Sequence, residues 1–153
     1  MPLKNYTSAV PANRSINHIE NALVRNGARG IMKQYDEDGR VSAIIFTIAL
    51  DGQNIVPIKL PAKVEACEQI LMGMTTSRTR PETLEKIPAQ AERTAWKICL
   101  DWVEAQMAMV ELAQVELMEL FLPYLYNERE DMTYFETVKA AGFKGLLGPG
   151  SGR

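Results

Sequence analysis

Residues 28–60, ARGIMKQYDEDGRVSAIIFTIALDGQNIVPIKL, decide the fold. Two Asp-Gly pairs, Asp38-Gly39 and Asp51-Gly52, divide the stretch into three runs rich in isoleucine and valine. Tight hairpin turns need positive φ, which Asp-Gly supplies, and branched side chains suit the pleated strands between them. The pattern predicts three antiparallel strands in a meander, about 28–35, 41–50 and 54–60. Pro57 lacks a donor N–H, which marks the third strand as an edge. Strand alternation predicts a core face of Ile44, Phe46, Ile48 and Leu50 with Val56, Ile58, Leu60 and Met32. The opposite face then carries Arg29, Ile31, Lys33 and Tyr35, with Ala43, Ile45, Thr47, Ile55 and Lys59.

Upstream, residues 1–14 are polar and read as an extended N-terminal arm. Ser15 has the chemistry of an N-cap, and Ile16, Ile19 and Leu23 follow at helical spacing. Asn26-Gly27 then stops the helix, predicted over about 15–26. Downstream, Pro61 opens a short helix to about Met72, with Val64, Cys67 and Leu71 on one side. Residues 73–88, GMTTSRTRPETLEKIP, read as a mobile loop. Pro88 suits a first helical turn and Pro123 a stop, so a long helix is predicted over 88–122. Its apolar arc is too wide for one stripe. Trp96, Leu100, Val103, Met107 and Val110 are therefore expected to form an oligomer interface. Thr133 and Glu136 make a capping-box pattern for a last short helix to Ala141. The whole predicts a single α+β domain over 15–145, a meander packed against helices, followed by a flexible tail at 146–153.

Hydrophobic residues make up 46% of the 153 and charged residues 24%, which excludes a mostly disordered chain, a collagen and a disulfide scaffold. Seventeen Lys and Arg against nineteen Asp and Glu give a net charge of -2, so no global positive field marks the chain. Cys67 and Cys99 lie in apolar helical contexts and read as buried thiols. One histidine, with no CxxC or HExxH, argues against an all-protein zinc site. MPLKNYTSAV lacks the apolar segment of a signal peptide, and no apolar run reaches the length of a membrane span. A cytoplasmic location is expected.

No catalytic constellation emerges. Asp36, Glu37 and Asp38 lack calcium-loop spacing and read as a solvated turn. His18 has no nucleophile or carboxylate at a telling spacing and reads as an exposed helix residue. Glu104, Glu111, Glu116 and Glu119 lack the Glu-x-x-His partner of bundle metal sites and read as a solvent stripe. No glycine-rich phosphate loop is present, and no cofactor is expected. The basic residues point elsewhere. Arg29, Lys33, Lys59 and Tyr35 on the outer sheet face, with Arg78 and Arg80 from the loop, match a surface on which a single nucleic-acid strand stacks.

Four segments resemble a family of small proteins encoded by bacteriophages and prophages: NYTSAVPANRSINHIENAL, GARGIMKQYDEDGR, RTAWKICLDWVEAQMAMVE and ELFLPYLYNEREDMTYFE. The resemblance spans about residues 3–145. It implies a phage protein, encoded among early genes beside replication, recombination and anti-defence functions, and it implies no catalytic residues. The order helix, meander, helix also matches double-stranded RNA-binding domains. Those carry a basic cluster where this chain has PAKVEACEQ, with Lys63 its one cation. Single-strand annealing proteins pair a meander with a helix along a basic groove. The expected function is non-catalytic nucleic-acid binding in phage DNA replication or recombination, with single-stranded DNA as first partner. The alternative is an anti-defence protein that binds a host immune component or sequesters a nucleotide signal. A homo-oligomer without membrane contact is expected in either case.

Overall fold

The computed structural model describes residues 2–146. Strands β1 (Gly30–Tyr35), β2 (Val41–Ala49) and β3 (Ile55–Pro61) form the antiparallel meander in the order β1-β2-β3. Each turn is organised by its first aspartate. The Asp36 carboxylate accepts the backbone N–H groups of Asp38 and Arg40, both at 2.9 Å. Asp51 accepts those of Gln53 and Asn54 in the same way. Gly39 and Gly52 take φ values of 78° and 84°, the backbone that excludes most other residues.

The β2–β3 register runs unbroken through Ile44↔Leu60, Phe46↔Ile58 and Ile48↔Val56. Ile44, Phe46, Ile48, Ile58 and Leu60 are buried, as alternation predicts. Leu50 lies past the strand end and is half-exposed.

Strand β1 corrects the expectation. Across a plain hairpin with Tyr35 opposite Val41, Met32 would fall opposite Ile44 and face the core. The register instead shifts between Gln34 and Tyr35, so Gln34 pairs with Ala43 and Ser42 is the extra residue of a bulge. One extra residue reverses the facing of everything beyond it. Ile31 now lies opposite Phe46 and packs on the core, while Met32 lies opposite Ile45 on the outer face and is half-exposed. Lys33, opposite Ile44, is on the helix side of the sheet.

Helix α1 (Ala12–Arg25) buries Ser15, Ile16, Ile19, Ala22 and Leu23. It starts three residues before Ser15. Pro11 occupies the N-cap, and its carbonyl accepts the N–H groups of Arg14 and Ser15. Ser15 is thus a buried interior residue rather than a cap. Helix α2 (Val64–Gly73) buries Val64, Cys67 and Leu71. Helix α3 (Pro81–Glu111) starts seven residues ahead of Pro88, because Pro81 serves as the first helical residue with Glu82 beside it. Pro88 is an exposed interior position of the helix, where it removes one amide from the ladder and crowds the Leu84 carbonyl. The connection between α2 and α3 is correspondingly short, residues 74–80.

Helix α3 also ends early. The N–H of Gln114 reaches the Met109 carbonyl and that of Ala113 the Val110 carbonyl, each at 3.0 Å, with Ala113 at φ 57°. This is a left-handed helix stop, built on alanine where glycine is usual. A short helix α4 (Leu117–Phe121) follows, then the two-residue strands β4 (Tyr126–Asn127) and β5 (Met132–Thr133), and α5 (Tyr134–Ala140) behind the Thr133–Glu136 capping box. Apart from Leu146, the tail expected at 146–153 lies outside the described residues.

The wide apolar arc of α3 finds its partners within the chain. The helix packs against both α1 and α2 and covers the sheet. Trp96 and Val103 are fully buried, Leu100 and Met107 nearly so, and Val110 packs on the same core. The five residues expected at an oligomer interface are therefore core residues of one chain. Phe121 completes this core, edge-on to Phe46 with ring centroids 5.1 Å apart.

The N-terminal arm is docked, not free. Thr94 donates its hydroxyl to the Asn5 carbonyl at 2.9 Å, Asn5 donates its amide to Asp101 at 2.8 Å, and Gln90 donates to the Ser8 carbonyl at 3.0 Å. Asp101 also takes Lys97 at 2.7 Å and Lys4 at 3.4 Å.

Candidate nucleic-acid interface

With the apolar stripe of α1 turned inward, its solvent face is set by helical spacing. Asn13, Asn17 and Asn21 form one row, and Arg14, His18 and Arg25 run beside it, all exposed. The one acidic residue of α1, Glu20, meets Lys33 Nζ of β1 at 3.4 Å. That pair joins α1 to the edge strand, so Arg25, Arg29 and Lys33 continue the polar surface from helix to sheet edge. Glu104 of α3 lines a shallow hollow with His18, Asn21 and Arg25, and Glu92 lines a second one with Asn13.

Charge is divided along the chain in a way the net value conceals. Residues 1–35 hold five cations, Lys4, Arg14, Arg25, Arg29 and Lys33, against Glu20 alone. The remaining residues hold twelve cations against eighteen carboxylates. The first segment folds into the arm, α1 and β1; Lys4 is paired with Asp101 and Lys33 with Glu20, while Arg14, Arg25 and Arg29 make no ion pair among the described residues.

The residues expected to form one basic surface are separated into three places. Arg29 is exposed just ahead of β1, its N–H bonded to the Thr47 carbonyl at 2.9 Å. Lys33 and Tyr35 follow on β1, Tyr35 at its exposed end. Lys59 pairs with Ile45 on the opposite face of the sheet. There its ammonium lies 3.5 Å from Asp131 and 5.1 Å from the centre of the Tyr126 ring, so it is already engaged. A hydrogen bond from the Tyr126 hydroxyl, and then the Lys59 charge, hold the Asp131 carboxyl below its usual value. Arg78 and Arg80 are exposed in the α2–α3 connection. Among the described residues no hydrogen bond or ion pair links them to Arg29, Lys33 or Lys59.

The outer sheet face is not the open basic platform that alternation suggested. Ala43 and Ile45, its central residues, are buried. Comparison with known protein families, with curated proteins and with solved structures gave no match to this chain. The resemblance to phage-encoded proteins rests on the sequence segments alone.

Other features of the chain narrow the chemistry. Asp36 is taken up by its own turn: hydrogen bonds from the Arg40 backbone and side chain hold its carboxyl below the ordinary value. Arg40 reaches on to Glu68 of α2 at 3.1 Å and ties the β1–β2 turn to that helix. Among the described residues no three His, Cys, Asp or Glu side chains converge on a metal position. No helix among them is long and apolar enough to cross a membrane. The α1 residues Arg14, Asn17, Asn21 and Arg25 were legible through another signal: a 35-residue start with a single carboxylate.

Proposed function

We propose that the protein binds nucleic acid without catalysis, in phage DNA replication or recombination, through the solvent face of α1 continued by Arg29. The observation that carries this reading is that Arg14, Arg25 and Arg29 are exposed and make no ion pair among the described residues, in a 35-residue segment with five cations and one carboxylate. Guanidinium and ammonium groups contact phosphates, and carboxamides such as Asn17 and Asn21 match the donor–acceptor edges of bases. A helix of 14 residues is about 21 Å long, and a major groove admits such a helix. The exposed side chains of α1 include no Phe, Tyr or Trp for base stacking, and His18 is its one ring. The surface therefore suits a duplex better than the single strand expected from the sequence.

The test is a titration of labelled duplex and single-stranded DNA by the folded protein. If about three phosphates are neutralised, duplex affinity falls about 40-fold from about 50 to 200 mM salt. An Arg14→Ala, Arg25→Ala, Arg29→Ala triple variant loses most of that affinity and most of the salt slope. All three side chains are exposed, so the variant retains its fold. Absence of duplex binding at low salt overturns the reading, and unchanged binding in the variant overturns the surface. Tighter binding of the single strand would reinstate the partner expected from the sequence.

A further inference from the structure

A cleft of about 400 Å³ opens where the end of β3 meets α2 and α3. Its lining includes Ala66 and Ile70 of α2, Ile98, Cys99 and Trp102 of α3, and Tyr124. Leu3 of the docked arm also lines it. The volume lies in the range of small-molecule sites rather than of packing defects. Burial drives the Cys99 thiol up to about 12, so Cys99 lines the cleft as a neutral, apolar group.

One lining residue is charged. Lys63 stands at the start of α2, exposed, with no carboxylate within 4 Å among the described residues. The first turn of α2 has no side-chain cap, which leaves amide donors beside that ammonium. An apolar cleft with a single unpaired cation calls for a ligand of the same design: a hydrocarbon tail and one negative head. A lone ammonium, with no arginine fork beside it, suits a monoanion better than a phosphate. We propose that this cleft binds a linear medium-chain carboxylate, with its chain along Ile70, Ile98 and Trp102 and its head on Lys63.

Trp102 supplies the readout, because it lines the cleft while Trp96 is fully buried in the core. The folded protein is titrated with hexanoate, octanoate and decanoate, each below its micelle concentration, and tryptophan emission is followed. Saturable binding is expected, tightening about fourfold per methylene until the cleft is full. Decanol, with the same chain and no charge, binds about fivefold more weakly than decanoate. Ala66 is exposed on α2, so Ala66→Phe fills the cleft without entering the core and removes decanoate binding, with the circular dichroism unchanged. Lys63→Gln weakens decanoate to the level of decanol and leaves decanol itself unaffected. No saturable response to decanoate overturns the proposal, and so does equal affinity in Ala66→Phe. Equal affinities for decanoate and decanol in the parent overturn the assignment of the head group.

Discussion

The indole N–H of Trp96 donates to the Val41 carbonyl at 3.0 Å, which bonds the middle of α3 to the first residue of β2. The contact lies in the core, with Trp96 fully buried. Phenylalanine at this position keeps an aromatic ring but leaves the carbonyl without its donor. Trp96→Phe is expected to lower stability by about 2 to 3 kcal/mol through the orphaned acceptor and the lost volume. Urea unfolding followed by the remaining Trp102 emission measures it.

Phe46 sits at the centre of the sheet, opposite Ile58 and Ile31 and against Phe121. Phe46→Ala should cost about 3 to 5 kcal/mol, because the ring is fully buried and both neighbouring strands pack on it. Chemical denaturation of the variant beside the parent is the measurement. A midpoint equal to that of the parent would contradict the facing of β2.

Ala113 ends α3 in the left-handed conformation, which costs an L-residue roughly 1 to 2 kcal/mol. Part of that is returned on mutation as extra freedom of glycine in the unfolded chain. Ala113→Gly is therefore expected to stabilise the protein by about 0.5 to 1 kcal/mol, seen as a raised thermal midpoint. Ala113→Val should do the reverse, since a branched side chain tolerates positive φ least.

Burial raises the pKa of Asp101, but hydrogen bonds from Lys97 and Asn5 and the nearby charges outweigh it, and the result is a lowered value. A carboxylate with a depressed folded pKa contributes stability above its unfolded value, near 3.8, and loses it as pH falls through the folded one. Unfolding free energy should thus fall on acidification from about pH 5 downward. Asp101→Asn should be less stable than the parent at neutral pH and show a shallower acid slope. The slope persists in part, because Asp36, Asp51 and Asp131 are shifted the same way. Parallel urea titrations from neutral pH to about pH 3 compare the two slopes.

How much was legible follows from where information was local. The Asp51-Gly52 turn fixes a regular register, so the facing of Phe46, Ile48 and Ile58 could be counted from it. The Asp38-Gly39 turn leads into a bulge at Ser42, and no residue there announces it. One unannounced residue was enough to move Ile31 and Met32 to exchanged faces and to separate Lys33 from Lys59. Helix α3 posed a similar difficulty. Two prolines seven residues apart can each open a helix, and the far end stops on an exposed alanine at φ 57°, where no glycine marks the stop. The width of its apolar arc was read correctly, but α1, α2 and the sheet proved sufficient to cover it. The cationic bias of residues 1–35 was hidden by averaging, since a net charge of -2 is the sum of a positive first segment and a negative remainder.

The docking of the arm sets an order of events. Asn5 meets Asp101 across 96 positions of chain and Thr94 across 89. During synthesis the arm emerges before α3, yet the side chains that hold it belong to that later helix. Closing so long a loop costs chain entropy before any contact is gained. The meander, whose contacts are close in sequence, has no such delay. The arm is thus made well before its partners and is among the last parts to fold. Until it docks, the surface of α3 that receives Leu3 and Asn5 stays open to solvent.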